Sequence, residues 1–299
     1  LGVFGLACLG LAVSDVWALT LVIAFLGGVG FGVFQVNYAA IFSRGFGARS
    51  GVVMSLMSVA FGLGSILGPA AIGVIGSHRY AWLLGACGPL SLVVAALVSR
   101  VQFEPEPGHQ NMSQARDSSS NLNLALIGFV ILSFTYVAAE GSISFWGATH
   151  LREARGFSAD GAAFLLSFFW IALTVGRALS APVAMRVSSQ DIILGGLALS
   201  LAALLLVQVT PFGYVLAGLF FAPVFPAGLV WLGRVSHDQR ATSAFLVASS
   251  LGSLVSAPMV GALVQGFGPE VIPWAITVFT ALSLICVVWL RRITLEKTV

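Results

Sequence analysis

Leu122–Ala148, LNLALIGFVILSFTYVAAEGSISFWGA, runs for 27 residues with one charged side chain, Glu140, and no proline. A helix needs about 20 predominantly apolar residues to cross a hydrocarbon core about 30 Å thick, so this stretch is long enough to span a bilayer. A membrane β-strand would be about 10 residues long and alternate in polarity, and this stretch does neither. Working outward, the same reading finds ten runs, at about 1–14 (short), 17–42, 50–76, 80–99, 122–148, 159–184, 190–209, 212–233, 241–266 and 271–290. Between them lie charges and turn formers: Ser14-Asp15, Ser43 to Ser50, Ser77-His78-Arg79, Ser188 to Asp191, Thr210-Pro211 and Gly266 to Glu270. Of 14 Lys+Arg and 11 Asp+Glu, only Glu140 and Arg177 fall well inside a run, Asp160 and Asp191 standing at the second position of theirs.

Composition points the same way. Charged residues are 8% of the chain, against roughly 25% in a soluble domain, and 58% are apolar. That leaves too little charge to cover a soluble surface and too much apolar content for a disordered chain. Three cysteines exclude a disulfide scaffold, and a net charge of +3 without a basic patch excludes nucleic acid as a partner. The expectation is an all-α polytopic membrane protein embedded in the lipid bilayer.

Lys and Arg set the orientation. One side carries Arg44, Arg49, Arg100, Arg116, Arg186, Arg234, Arg240, Arg291, Arg292 and Lys297; the other carries Arg79, Arg152 and Arg155. This asymmetry predicts that both termini and the 101–121 loop face the cytoplasm across the plasma membrane. The loop is the only long hydrophilic stretch, so it reads as a linker. The predicted organisation is an N-terminal bundle over 1–100, the linker over 101–121, a C-terminal bundle over 122–292 and a tail over 293–299.

The two halves share a pattern 188 residues apart. Gly64, Ser65 and Gly73 in GSILGPAAIG correspond to Gly252, Ser253 and Gly261 in GSLVSAPMVG. By that offset the spans at 122–148 and 159–184 have no counterparts after residue 1. The offset therefore predicts two further helices before Leu1, and twelve spans in two pseudo-symmetric six-helix bundles.

Two parallel six-helix repeats are the architecture of major facilitator transporters, which this chain resembles. The resemblance is to the fucose permease-like sugar:proton symporter branch and rests on five stretches. They are GGVGFGVFQVNYAAIFSRG (27–45), FGLGSILGPAAIG (61–73), YVAAEGSISFWGATHLRE (136–153), FFWIALTVGRAL (168–179) and GLFFAPVFPAGL (218–229). It implies a secondary transporter that moves a small, sugar-like molecule together with protons, works as a monomer and needs no cofactor. An efflux transporter of lipophilic cations in the same superfamily is the alternative, and a non-transporting sensor or inactive fragment a third.

Within the spans, Glu140 is the first candidate. A carboxylate there costs about 2.5–3.5 kcal/mol on insertion scales unless it faces a cavity or a partner. Ser133, Tyr136, Glu140 and Ser144 share one helical face. That face binds solute hydroxyls and a proton, or else Glu140 is protonated and bonded to a neighbouring helix. Measured from the two span midpoints, Arg177 lies about 16 Å from Glu140 along the membrane normal, which predicts no direct contact and a gating role. Gln35 and Asn37 offer amides for solute hydroxyls or for bonds between helices. Trp146 offers a flat apolar face. Pro223 and Pro226 break the helix ladder and predict a hinge.

The glycines at 27, 28, 30, 32, 62, 64 and 68 predict close helix contacts rather than a phosphate loop, since no strand precedes them. No metalloprotease, serine-hydrolase or Walker motif occurs, and the four histidines have no ligand spacing. The chain is read as no enzyme, with no metal site.

Overall fold

In hydrocarbon a backbone must satisfy its own N–H and C=O groups, which for an unpaired segment means a helix. The computed structural model describes residues 1–44, 50–100, 120–184, 186–236 and 238–295, and no strand occurs among them. The side chains of 35–44, 50–59, 77, 120–122, 181, 239 and 295 lie outside the description. The helices are α1 (Gly2–Val13), α2 (Trp17–Arg44), α3 (Ser50–Ile75), α4 (Tyr80–Val98), α5 (Ser120–Thr149) and α6 (Ala159–Ala184). They continue with α7 (Ser189–Leu206), α8 (Phe212–Phe221), α9 (Val224–Val235), α10 (Gln239–Phe267) and α11 (Ile272–Leu295). Among the described residues, eight stretches are long and apolar enough to cross a membrane, with Gly2–Val13 and Ala60–Ile75 as shorter apolar helices.

Every apolar run read from the sequence is a helix, and two differ in shape. The 122–148 run continues past Thr149 into a π-helical turn, His150–Ala154. The 212–233 run is divided into α8 and α9 at Ala222-Pro223, because neither Pro223 nor Pro226 has an N–H to continue the ladder. Ends are set by local chemistry. The Ser188 hydroxyl accepts from the Asp191 N–H at 3.1 Å to cap α7, and the Asp238 carboxylate accepts from the Arg240 N–H at 2.8 Å to cap α10. The turn after α5 passes through Gly156 at φ 73°, a left-handed conformation that costs glycine little.

The described residues form two compact units: Leu1–Phe61 with Val74–Ala115, and Gly62–Gly73 with Arg116–Val299. In the first, α1 packs on α2 and α4. The α1–α4 crossing is so close that a Cβ added at Gly5 would lie 2.9 Å from the Gly88 carbonyl oxygen.

In the second unit α5 is central, packed on α10 and α11, while α6 lies on α8 and α7 on α8, α9 and α11. Backbone-to-backbone approach at glycines makes this packing dense. A Cβ at Gly252 would collide with the Phe134 carbonyl, and one at Gly176 would lie 2.6 Å from both the Leu219 carbonyl oxygen and the Ala222 Cβ. Of the seven glycines read as contact points, Gly27, Gly30 and Gly62 lie against Ala7, Phe4 and Thr174 respectively. Gly28, Gly32, Gly64 and Gly68 meet nothing within 4 Å among the described residues.

Candidate functional site

The chain leaves α5 through the π turn, reverses at Arg155–Ser158 and returns as α6. Glu140 and Arg177 therefore lie on consecutive helices. Arg177 Nη2 stands 3.8 Å from Glu140 Oε1, with the side chains 26% and 14% exposed. This corrects the expected separation of about 16 Å. Two effects close the gap. Counted from the shared turn, Glu140 is 14 residues before Ala154 and Arg177 is 18 residues after Ala159, so their levels differ by only about 6 Å. Helical side chains also lean toward their own N-terminus. Glu140 thus leans away from the turn and Arg177 toward it, each toward the other.

At 3.8 Å the contact is an attraction between charges without a hydrogen bond. The Tyr136 hydroxyl, one turn away, also interacts with the Glu140 carboxylate, whereas Arg177 meets that carboxylate only at 3.8 Å.

The hydroxyls expected beside Glu140 are committed to backbone carbonyls. Ser133 donates to Phe245 O of α10 at 2.7 Å, and Ser144 donates to the Glu140 carbonyl of its own helix at 3.2 Å. Tyr136, 1% exposed, donates to Phe221 O at 3.1 Å. Its ring meets Phe221 edge-on at 5.5 Å and Phe225 at 6.5 Å. Tyr136 therefore ties α5 to the last residue of α8, beside the break made by Pro223 and Pro226. Gly176, next to Arg177, abuts the same break from α6. The ion pair is thus flanked on both helices by residues in contact with one interrupted helix.

Trp146 turns elsewhere. Its indole N–H donates to Ala257 O of α10 at 2.9 Å and its ring covers Gly261. Six residues from Glu140, it lies about 120° around the helix, which removes it from the Glu140 face. Gln35 and Asn37 belong to α2, and their side chains lie outside the described residues.

Three features escaped the sequence. Trp170, Thr174 and Arg177 recur at i, i+4 and i+7 on one face of α6, and Thr174 donates to Trp170 O at 2.8 Å. That spacing was present to be read. His150, which the sequence left as a span-end residue, is buried in the π turn with Nδ1 3.0 Å from the Tyr214 hydroxyl. Arg155 donates to Val207 O at 2.9 Å and Gln208 O at 2.7 Å, placing a cation at the C-terminus of α7. Nothing in the sequence indicates which loop carbonyls an arginine will meet.

The family model described as Major Facilitator Superfamily matches residues 1–212 and, in a second alignment, 129–298. The curated "Fosmidomycin resistance protein" of Escherichia coli (strain K12) is 28% identical over 205 residues, 64% of this chain and 49% of that protein. The chain thus spans about half the length of this relative. Among solved structures, the nucleoside transporter NupG overlays with a TM-score of 0.72 at 15% identity, covering 97% of this chain and 81% of that one. The Escherichia coli fucose:proton symporter FucP gives 0.62 at 18% identity, with 97% and 81% covered. An inward-facing, occupied bacterial homologue of the human lysosomal transporter Spinster gives 0.62 at 12%, with 98% and 80% covered. At these identities the likeness is one of fold.

Proposed function

This chain belongs to the Major Facilitator Superfamily, and on that premise we propose that it is a secondary transporter which moves a small polar, sugar-like solute across the membrane by alternating access, coupled to protons. The observation that carries this reading is the Glu140–Arg177 pair, two opposite charges 3.8 Å apart within membrane-spanning helices. Charges in a span are costly, so they pair with one another or line a solute or proton path, and the path is the default reading. The sequence carries no nucleotide-binding loop, which leaves a gradient or downhill flow as the driving force, and proton coupling is the form proposed.

In this mechanism Glu140 accepts a proton and solute hydrogen bonds, and Arg177 faces it as the second polar contact rather than as a distant gate. Tyr136 and Ser144 shape the α5 face, and Gln35 and Asn37 supply amides from α2. Trp146 supports the site through α10. Pro223 and Pro226 form the hinge, and Tyr136 holds its carbonyl. The termini and linker lie on the cytoplasmic side of the plasma membrane, and the working unit is a monomer.

The test is uptake by the full-length protein in proteoliposomes under an imposed pH gradient. Solute entry with internal acidification, the coupling between the two being lost in Glu140→Gln, supports the reading; unchanged coupled transport in that variant refutes the role given to Glu140. Efflux is the second reading, favoured by the fosmidomycin resistance protein among the relatives. It predicts that expression lowers fosmidomycin susceptibility and that no sugar is taken up.

A further inference from the structure

We propose that the solute carries an acidic group, bound by the Arg177 guanidinium, and that it loads together with one proton on Glu140; this rests on the transporter reading above. The spans' midpoints put Arg177 about 16 Å from Glu140, out of reach of a solute held there. The structure brings the base to 3.8 Å.

The argument begins with what Arg177 lacks. A guanidinium presents a planar fork of five N–H donors that fits a carboxylate or a phosphoryl group with two parallel bonds. Glu140 does not fill that fork: it offers one oxygen beyond hydrogen-bond range. A neutral hydroxyl takes one of these bonds, whereas an acidic group takes both and also matches the charge. Trp170 and Thr174 share the face of α6 that carries Arg177, the Thr174 hydroxyl being donated to Trp170 O at 2.8 Å.

Charge balance then dictates the proton. Once an anion occupies Arg177, an ionised Glu140 is left as an unpaired negative charge beside it, within a span. Protonation removes that cost. The exchange is balanced: a hydronium ion on the solute's side breaks one O–H bond and leaves as water, its proton forms an O–H bond at a Glu140 oxygen, Arg177 keeps all its protons, and no bond within the solute changes. No other described charge competes at this level. Those on α10 and α11, Arg240 and the Arg291–Arg292 pair, lie at helix ends. The α8–α9 pair carries Arg234 in its last turn, Asp160 sits in the first turn of α6, and the Gly62–Gly73 segment has none. The Tyr136 phenol, one turn away, already donates to Phe221 O.

The experiment uses three probes on one scaffold, glucuronate, glucose and glucosamine, with the full-length protein in proteoliposomes. Uptake and transported charge are recorded together. The expected result is glucuronate uptake driven by an inward pH gradient and without net current, because one negative and one positive charge move together. Arg177→Gln lowers that uptake by about 10- to 150-fold, the range for losing a charge-assisted hydrogen bond. Arg177→Lys, which keeps the charge without the fork, recovers part of it. Glu140→Gln converts the flux into a current that ignores the pH gradient but follows the membrane potential, a change that a merely misfolded variant cannot produce. Uptake of glucose or glucosamine without glucuronate, or glucuronate uptake unaffected by Arg177→Gln, overturns the acidic-group assignment and leaves the transporter reading standing. Uptake of none of the three probes, and of no other solute, overturns both.

Discussion

The separation between Glu140 and Arg177 can be measured as an energy. Two unit charges 3.8 Å apart attract by about 1 kcal/mol at the dielectric constant of water and about 4 kcal/mol at the effective value of 20 that suits partly buried pairs. With side chains 14% and 26% exposed, the upper part of that range applies. At the separation of about 16 Å read from the sequence, the same relation gives about 0.3 and about 1 kcal/mol. A double-mutant cycle distinguishes the two. Wild type, Glu140→Gln, Arg177→Gln and the double variant of the full-length protein would be unfolded by SDS titration, with stability read from the midpoint and slope. Each single variant strands one charge in a span and should lose about 2–4 kcal/mol, whereas the double variant should recover a large part of the summed loss. A coupling energy above about 1.5 kcal/mol supports direct pairing. Additivity within about 0.5 kcal/mol would refute the contact, and with it every role assigned to the pair.

Gly176→Ala should separate α6 from α8, because its Cβ would stand 2.6 Å from the Leu219 carbonyl oxygen; the expected cost is about 1–3 kcal/mol. Gly195→Ala, which meets nothing within 4 Å, should leave the melting temperature unchanged, and equal melting of the two variants contradicts the crossing. Tyr136→Phe strands the buried Phe221 carbonyl and should cost about 1–3 kcal/mol, read as a lower melting temperature. If Tyr136 also steadies the break, the variant should lower maximal transport rate more than solute affinity. Arg155→Ala removes two hydrogen bonds from the end of α7, so hydrogen exchange at residues 205–210 should rise by at least about tenfold while exchange in the middle of α10 stays as it was.

Much of the fold could be read from the sequence because polar residues interrupt the apolar runs only where helices end. Ser14-Asp15, Ser188 to Asp191 and Thr210-Pro211 each mark a break in the structure. Which way a helix faces was far less legible. Lipid is as apolar as leucine, so a span that packs on protein along one side and lipid along the other shows no hydrophobic period. Gly27, Gly30 and Gly62 lie at contacts, whereas Gly28, Gly32, Gly64 and Gly68, drawn from the same motifs, meet nothing within 4 Å among the described residues. The hydroxyl face of α5 misled for a related reason. Ser133, Tyr136 and Ser144 do share a side, as their spacing requires, but a hydroxyl in a helix finds a carbonyl of its own turn or of a neighbour before it waits for a solute. What remains after those bonds are counted is the ion pair.

That pair was missed through the choice of origin rather than through chemistry. Placing each charge against the midpoint of its own span treats the two helices as independent rods, and α5 is not the rod that was assumed. It extends through the π turn to Ala154, several residues past the last apolar residue of its run. The turn that joins two helices is the only level they must share. Counted from it, the offset between the two residues falls to about one helical turn. The direction of lean then decides whether the side chains meet. In such a hairpin a residue on the first helix leans away from the turn and its partner on the second leans toward it. Contact is therefore favoured when the second residue is the farther one, as Arg177 is. With the order reversed, the same offset would have pointed the two side chains apart, leaving two unpaired charges in the membrane.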